Sequence, residues 1–251
     1  MIKLLAIVGP TAVGKTDLSI KLAQKFNAEI ISGDSMQVYR HLDIGTAKIT
    51  QEEMAGVKHH LIDVRNIDER FSVADFVQDA SKLIEAIHEV GKLPIIVGGT
   101  GFYLQALLSG LELGGDQYQN DDLRRQLLAE AKEKGDLALH QRLAKVDPAA
   151  ARAIPVHNVR RVVRALEVYI NPGHRFSDQH NVGSKYCAFV IGLTTDRALL
   201  YQRINQRVDQ MIAHGLLSEG RWLFDHYGQQ FPAGQGIGYR ELFPYFQGQS
   251  T

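Results

Sequence analysis

Short apolar runs alternate with stretches of helical periodicity along the first part of the chain. The runs at 4–8, 28–32 and 92–97 have the length and continuous apolar character of strands buried in a parallel sheet. Apolar residues recur at helical spacing between the first two runs, and again over residues 72–90, where Ser72 is a candidate N-cap. Strands that alternate with helices are typical of an α/β fold with a parallel sheet.

The pattern changes between residues 113 and 185. Strand-like runs disappear, and charged segments with helical spacing replace them. These segments cover residues 123–131, 137–144 and 159–169. Strand character returns at 186–193, and we expect this strand to rejoin the parallel sheet. The sequence therefore predicts an α/β core made of residues 1–112 and 186–251, with helices flanking the sheet and a helical insertion domain at 113–185.

A glycine-rich stretch directly follows the first strand and reads Gly9-Pro10-Thr11-Ala12-Val13-Gly14-Lys15-Thr16. It matches G-x-x-x-x-G-K-[ST], the phosphate loop of ATP-binding and other nucleotide-binding proteins, at every fixed position. In such a loop the backbone N–H groups form an anion nest at a helix N-terminus. Lys15 adds a positive charge over the terminal phosphates, and the Thr16 hydroxyl is placed to ligate Mg²⁺. The stretch predicts a P-loop NTPase-like core that binds a di- or triphosphate.

Two further polar groups come directly after predicted strands. Asp34 follows the strand at 28–32, and Thr100 stands among three glycines after the strand at 92–97. Ligand-handling groups of open parallel sheets gather at the carboxyl ends of the strands, so we expect both residues beside Lys15. Asp34 is the candidate catalytic carboxylate, and capping of a following helix is the alternative role.

Composition narrows the class of protein. A hydrophobic content of 45% with 22% charged residues is that of an ordinary globular protein. The single cysteine, Cys187, suits a reducing compartment, and no apolar run is long enough to span a membrane. With no room for a cleavable signal before the first strand, we expect a cytoplasmic protein.

The net charge is zero, but the charge is unevenly distributed. Residues 120–185 carry 12 basic and 8 acidic side chains, whereas residues 1–119 carry 11 and 15. A basic middle segment of this kind favours contact with a polyanion.

With these residues in place, the chain resembles the tRNA dimethylallyltransferases (tRNA isopentenyltransferases) of the bacterial type from Ile7 to Tyr245. Nine stretches carry the resemblance. They are GPTAVGKT (9–16), SGDSMQVY (32–39), DIGTAK (43–48), HHLID (59–63), FSVADF (71–76), PIIVGGTGFY (94–103), RALEV (164–168), LYQRINQRVDQM (200–211) and GIGYRE (236–241). The combination of GDSMQVY with GGTG is far more specific than the phosphate loop alone.

The resemblance implies transfer of a dimethylallyl group from dimethylallyl diphosphate to N6 of the adenosine next to the anticodon in tRNA, with release of diphosphate. It implies Mg²⁺ as the cofactor and a monomer that acts on the anticodon stem-loop. The implied catalytic residues are Asp34, Thr100, Lys15 and Arg207. The implied diphosphate ligands are Gly9, Thr11, Ala12, Val13, Gly14, Lys15, Thr16 and Arg207.

The resemblance also implies two sets of tRNA contacts. The first consists of Asp34, Ser35, Met36, Gln37 and Thr100. The second, in the helical insert, consists of Arg124, Arg160, Arg161, Val162, Val163 and Arg164. The residues before Arg160 read His157-Asn158-Val159 and depart from the Asn-Asp-Pro-Gln usual in the family. A basic C-terminal helix is also expected after the GIGYRE stretch, and the sequence ends at Thr251 without it.

Other classes of protein share the phosphate loop. A P-loop small-molecule kinase uses it with ATP, but carries an arginine-rich lid in place of the helical insert. An adenylate isopentenyltransferase acts on free AMP and needs no contact with an anticodon stem-loop. A GTPase-like switch needs a base-reading stretch of the N-K-x-D type, which the sequence lacks.

Overall fold

The computed structural model describes residues 1–111, 113, 121–171, 173–178 and 183–249. The chain divides into two compact units. Unit 1 comprises Met1–Leu108 and Ser184–Thr251, and unit 2 comprises Ser109–Gly183. None of the helices in the described part of the chain is both long and apolar enough to cross a membrane.

A five-stranded sheet forms the centre of unit 1. Its strands are β1 (Ile2–Val8), β2 (Ala28–Ser32), β3 (His59–His60), β4 (Leu93–Gly98) and β5 (Tyr186–Gly192). They lie in the order β3-β2-β4-β1-β5, and every neighbouring pair is parallel. The α/β prediction is confirmed, and the strand after the insert does rejoin the sheet, beside β1. The two-residue strand β3 was not predicted.

Helices flank this sheet and form most of unit 2. They are α1 (Lys15–Phe26), α2 (Val73–Glu89), α3 (Gly101–Ser109), α4 (Asp121–Lys134), α5 (Asp136–Val146), α6 (Pro148–Ala153), α7 (Val159–Ile170), α8 (Arg197–Ala213), α9 (Leu216–His226) and α10 (Phe243–Phe246). The predicted cap of α2 is confirmed, because the Ser72 hydroxyl accepts from the Asp75 N–H and the Asp75 carboxylate accepts from the Ser72 N–H.

Successive residues of the central strands β1, β2 and β4 point to opposite faces of the sheet, and most of them are buried, whereas most of β5 is exposed. Ile30 and Ile95 join an apolar cluster that includes Ala23 of α1. Their neighbours Ile31 and Ile96 join the larger cluster that includes α2. The strands β2, β4 and β1 are adjacent and parallel, so their carboxyl ends lie at the same edge of the sheet. Loops that follow these strands are thereby brought together.

Unit 2 has an apolar core of its own, supplied by α4 to α7. Its largest buried side chains are Leu127, Leu139, Leu143, Ile154, Val162, Val163 and Leu166. A fully buried carboxylate, Asp147, fixes one corner of this unit. It accepts hydrogen bonds from the N–H of Ala150 at the start of α6 and from the N–H of Ser177, each at 2.9 Å.

Candidate active site

The phosphate loop joins β1 to α1, and its glycines are required by close approach and backbone conformation. Gly9 has a φ of +148°, and a Cβ atom there would lie 2.6 Å from the carbonyl oxygen of Leu193. Gly14 adopts the left-handed conformation directly before Lys15, the first residue of α1. The strand, the glycine loop and the helix N-terminus therefore form the arrangement that an anion nest needs.

A cavity of about 460 Å³ opens above this loop. Part of its lining comes from the loop itself: Thr11, Ala12, Val13, Gly14, Lys15 and Thr16. Other walls come from the segment after β2, from residues 46–49 and from α8. Their members include Asp34, Gln37, Thr46, Ala47, Ile49 and Arg207. The structure thus brings three separate parts of the sequence to one cavity, namely the phosphate loop with Lys15 and Thr16, the segment of Asp34 and Gln37, and Arg207 of α8.

Two hydrogen bonds fix the segment that follows β2. Asp34 Oδ1 accepts from the N–H of Met36 at 2.8 Å, which closes a tight turn. Thr100 Oγ1 accepts from the N–H of Ser35 at 3.1 Å, and so ties the segment after β2 to the segment after β4. No helix begins in the described residues directly after Asp34, so its carboxylate caps a turn and not a helix.

Two cations of the cavity are paired with neutral groups. Lys15 Nζ donates to the carbonyl oxygens of Gly9 and Pro10 at 2.9 and 2.6 Å. Arg207 Nη1 donates to the Thr11 hydroxyl at 3.1 Å. Burial lowers the pKa of Lys15, an effect that Asp34 opposes and Arg207 reinforces. Burial also lowers the pKa of Arg207, and Asp34 again opposes the change. A site that holds two partly desolvated cations favours an incoming anion.

One wall of the cavity is formed by Thr46, Ala47 and Ile49, for which the sequence motifs indicated no role. The Gln37 amide nitrogen donates to the carbonyl oxygens of Thr46 and Ala47 at 3.3 and 3.4 Å. The Gln37 amide oxygen accepts from the Ser32 hydroxyl at 3.2 Å. Hydrogen bonds at both the nitrogen and the oxygen therefore fix the orientation of the Gln37 side-chain amide. The DIGTAK stretch was the only sequence signal for this wall.

The arginines of unit 2 fall into two groups. Arg124 makes a two-pronged ion pair with Glu167, with both N–O distances at 2.7 Å, and Arg164 Nη1 lies 3.6 Å from the same carboxylate. Glu167 is fully buried. Arg160 and Arg161 are exposed at the start of α7. A tRNA contact of this helix would therefore fall first on Arg160 and Arg161.

The two valines of the same predicted contact set lie inside unit 2. Val162 and Val163 are only 1% and 2% exposed, and both pack in the apolar core. Their side chains hold α7 against the other helices. Side-chain contact with RNA at these two positions would require that core to open.

Oxygen ligands for a metal are few in the cavity. No group of three or more His, Cys, Asp or Glu side chains with metal-binding geometry exists among the residues that the structure describes. The cavity does offer the Thr16 hydroxyl and the Asp34 carboxylate. Mg²⁺ keeps several water ligands and commonly takes only one or two protein groups beside the substrate phosphates, so this donor set suits it.

Fold and site together define a phosphate-loop α/β protein with a helical second unit. The sequence model of the family described as IPP transferase matches residues 37–251. A tRNA dimethylallyltransferase from Levilactobacillus brevis is 60% identical over 244 residues, which cover 97% of this chain and 80% of that protein. One from Limosilactobacillus reuteri is 57% identical and covers 99% and 82%.

Solved structures agree with these sequence matches. The tRNA isopentenylpyrophosphate transferase from Bacillus halodurans superposes with a TM-score of 0.72 at 50% identity, covering all of this chain and 79% of that one. A eukaryotic dimethylallyltransferase acting on tRNA gives a TM-score of 0.84 at 33% identity, covering 99% and 64%. The chain belongs to the IPP transferase family.

Proposed function

We propose that this protein transfers a dimethylallyl group from dimethylallyl diphosphate to N6 of the adenosine next to the anticodon in tRNA. The observation that carries the proposal is the single cavity in which the phosphate loop, Lys15 and Arg207 share space with the Asp34 carboxylate. The cations and the loop N–H groups suit a diphosphate, and the Asp34 carboxylate suits the removal of a proton from the acceptor. Family membership and the activity named for the relatives support the same reaction.

The diphosphate is assigned to the loop side of the cavity. Negative charge grows on the leaving diphosphate as its bond to the allylic carbon breaks. N–H groups of residues 11–16, the Lys15 ammonium and the Arg207 guanidinium are placed to stabilise that charge. Because burial has already removed water from both cations, their attraction for the developing charge is stronger than in bulk solvent.

The acceptor base is assigned to the side of Asp34. The exocyclic amine of adenine is a poor nucleophile because its lone pair is delocalised into the ring. Asp34 acts as the general base and takes the proton that N6 loses as the new N–C bond forms. Thr100 holds the Asp34 turn through Ser35 and offers its hydroxyl at the same edge of the sheet. To reach this cavity the adenosine must leave its stack, as in other enzymes that act on bases.

Magnesium is proposed as the cofactor, with the Thr16 hydroxyl as its protein ligand. When bound there with the diphosphate, it supplies further charge neutralisation to the leaving group. The protein ligand lies in the first turn of α1, next to Lys15. Removal of divalent ions with a chelator should therefore lower turnover more than it lowers tRNA binding.

The tRNA backbone is assigned in part to unit 2, through Arg160 and Arg161. Both are exposed, and they belong to the basic segment of the chain. Contacts to phosphates set affinity and position without reading sequence. We propose that the protein acts as a monomer in the cytoplasm, where its tRNA substrate is found.

One incubation separates this function from its alternatives. The protein is mixed with labelled dimethylallyl diphosphate, Mg²⁺ and, in parallel, an unmodified tRNA anticodon stem-loop or free AMP. We expect label in the stem-loop, on adenine N6. Label in AMP alone would identify an adenylate isopentenyltransferase. A kinase would transfer no label, and would instead phosphorylate a small acceptor in a further parallel incubation with ATP.

The phosphate loop is tested in the same assay with Lys15→Ala. Loss of one donor to developing charge should lower kcat/KM by about 10²–10³-fold. Lys21→Ala is the matched control, because Lys21 is an exposed lysine on the same helix outside the cavity lining. Near-normal turnover of Lys15→Ala would remove the loop from the chemistry.

A further inference from the structure

Three consecutive backbone N–H groups in unit 1 converge on one side-chain carboxylate. Glu219 of α9 accepts from the N–H of Asp43 at 2.8 Å and of Ile44 at 2.9 Å through Oε2. Its Oε1 accepts from the N–H of Gly45 at 2.9 Å. Successive N–H groups that point into one concavity form an anion nest. The protein fills this nest with its own carboxylate, across more than 170 residues of sequence.

A buried tyrosine completes the site around Glu219. Tyr239 is fully buried, and its hydroxyl donates to Glu219 Oε1 at 2.5 Å. Burial and the neighbouring carboxylate raise the pKa of Tyr239, so the hydroxyl keeps its proton and remains a donor. The ring lies so close to the nest that a Cβ atom on Gly45 would be 2.6 Å from Tyr239 Cζ and Oη. Glu219 and Tyr239 together fix where the nest segment lies.

The nest segment continues directly into a wall of the cavity. Its next two residues, Thr46 and Ala47, line the cavity and accept the two hydrogen bonds from the Gln37 amide nitrogen. Gln37 also lines the cavity, three residues after Asp34. Glu219 is therefore connected to Gln37 through one short backbone segment: Glu219 bonds to the N–H groups of residues 43–45, and Gln37 bonds to the carbonyl groups of the two residues that follow. The diphosphate ligands of the phosphate loop are not part of that chain.

We propose that Glu219 is a positioning residue for the acceptor base: it holds residues 43–47 so that Gln37 is oriented for the adenosine that enters the cavity. The inference rests on the proposed function. Without the carboxylate, the three N–H groups lose their acceptor and the segment shifts. The Gln37 amide then loses its two carbonyl partners. Small displacements of a positioning group cost rate out of proportion to their size.

The test is Glu219→Gln in the full chain. Its amide nitrogen replaces one carboxylate oxygen, so the variant cannot accept from all of the N–H groups of residues 43–45. We expect kcat/KM for the tRNA stem-loop to fall by about 10- to 100-fold. The dissociation constant of dimethylallyl diphosphate, measured by calorimetry without tRNA, should stay at the wild-type value. A fall in donor affinity that matches the fall in kcat/KM would overturn the proposal.

A double-mutant cycle with Gln37→Ala tests whether Glu219 acts through Gln37. If Glu219 acts through Gln37, adding Glu219→Gln to Gln37→Ala should lower kcat/KM little further. Fully additive losses would overturn the proposed route. Wild-type protein that fails to prenylate tRNA would instead refute the proposed function, and this outcome is seen before any variant is compared.

Two more variants complete the design. Tyr239→Phe keeps the buried ring but removes the hydroxyl donor, and it serves if Glu219→Gln does not fold. It should show a smaller loss of the same kind, with donor affinity unchanged, whereas wild-type kinetics would count against the proposal. Glu241→Gln is the control, because the Glu241 carboxylate accepts from the N–H of Gly238 and from Arg240, whereas the N–H groups of residues 43–45 bond to Glu219. Its kinetics should equal those of the wild type, and a loss like that of Glu219→Gln would overturn the specific assignment.

Discussion

The cations of the cavity in unit 1 and those on α4 and α7 of unit 2 have different partners. Lys15 and Arg207 bond to carbonyl and hydroxyl oxygens, and neither forms an ion pair within 4 Å among the described residues. Arg124 instead grips the carboxylate of Glu167, which is completely buried. The charges of these two cavity cations are therefore not neutralised by an ion pair. In unit 2 much of the positive charge is neutralised within the protein.

This contrast shows that an arginine's partner, more than its place in a motif, decides what it does. Removal of one partner of a buried ion pair lowers stability, because the remaining charge is less well compensated. Arg124 is therefore expected to stabilise unit 2 through Glu167. Arg207 forms no ion pair within 4 Å among the described residues, so its charge is available for the proposed diphosphate.

The largest expected effect concerns Asp34, whose carboxylate lines the same cavity as Lys15 and Arg207. Asp34→Asn keeps an oxygen that can accept from the Met36 N–H, so the turn after β2 should survive. Because the amide cannot take a proton from N6, kcat should fall by about 10²–10⁴-fold. Single-turnover assays with the stem-loop measure the change, and calorimetry checks that dimethylallyl diphosphate still binds.

A different result would change the role of Asp34. If the main defect of Asp34→Asn were weaker binding of dimethylallyl diphosphate, the carboxylate would belong to the metal or phosphate side of the cavity. Ser35→Ala is a matched control, because the Ser35 side chain is a neighbour in the same turn while its backbone N–H still reaches Thr100. It should lower kcat far less than Asp34→Asn.

Much of the fold was predictable because its signals are local. The apolar runs that became β1, β2, β4 and β5 are short and continuous, and the capping box at Ser72 spans four residues. The site was predictable where it follows strand ends, because parallel strands bring their carboxyl ends to one edge. Lys15 and Asp34 lie at one cavity for this reason.

The features that the sequence could not predict depend on contacts between residues that are far apart in the chain. Glu167 lies 43 residues from Arg124, and Glu219 lies 176 residues from Asp43. No spacing rule connects residues so far apart, since only the folded chain sets which side chains meet. The same limit explains why Arg124 and Arg160 looked alike in the sequence, and why the burial of Val162 and Val163 was not foreseen.

A smaller effect is expected when the exposed arginines of unit 2 are replaced. Replacing Arg160 and Arg161 together with Ala should raise KM for the tRNA stem-loop and leave KM for dimethylallyl diphosphate unchanged. Each lost phosphate contact should reduce the log–log salt slope of tRNA binding by about one unit, or slightly less for single-stranded RNA. Binding titrations over a salt series measure this slope. An unchanged slope would show that α7 does not contact the tRNA backbone.

Arg124→Ala is the comparison for that double variant. Removal of its guanidinium leaves the buried Glu167 with Arg164 as its nearest remaining cation, at 3.6 Å. We expect lower thermal stability for this variant. The Arg160 and Arg161 replacement should keep the thermal stability of the wild type, because both of those side chains are exposed. Equal stability of the two variants would contradict the distinction drawn here.

The smallest effect concerns a buried carboxylate that serves structure alone. Burial by itself would raise the pKa of Asp147, but hydrogen bonds from Ala150 and Ser177 hold it below the ordinary value of 3.8. A depressed pKa means that the folded state favours the ionised form. Its contribution to stability is therefore complete above the ordinary value and is lost as the pH falls through the folded value.

Asp147→Asn should reveal this contribution as a difference that depends on pH. The amide can keep one of the two backbone donors but turns an N–H₂ group towards the other, which costs about 1–3 kcal/mol at neutral pH. Amide hydrogen exchange in α5 and α6 of the full chain measures the local stability of wild type and variant. The difference should be constant from pH 7 to about 5 and shrink below the ordinary Asp value, because the wild type then loses its charged acceptor. A difference that stayed constant down to pH 3 would mean that the Asp147 carboxylate carries no ionisation-linked stability, and that packing alone holds this corner of unit 2.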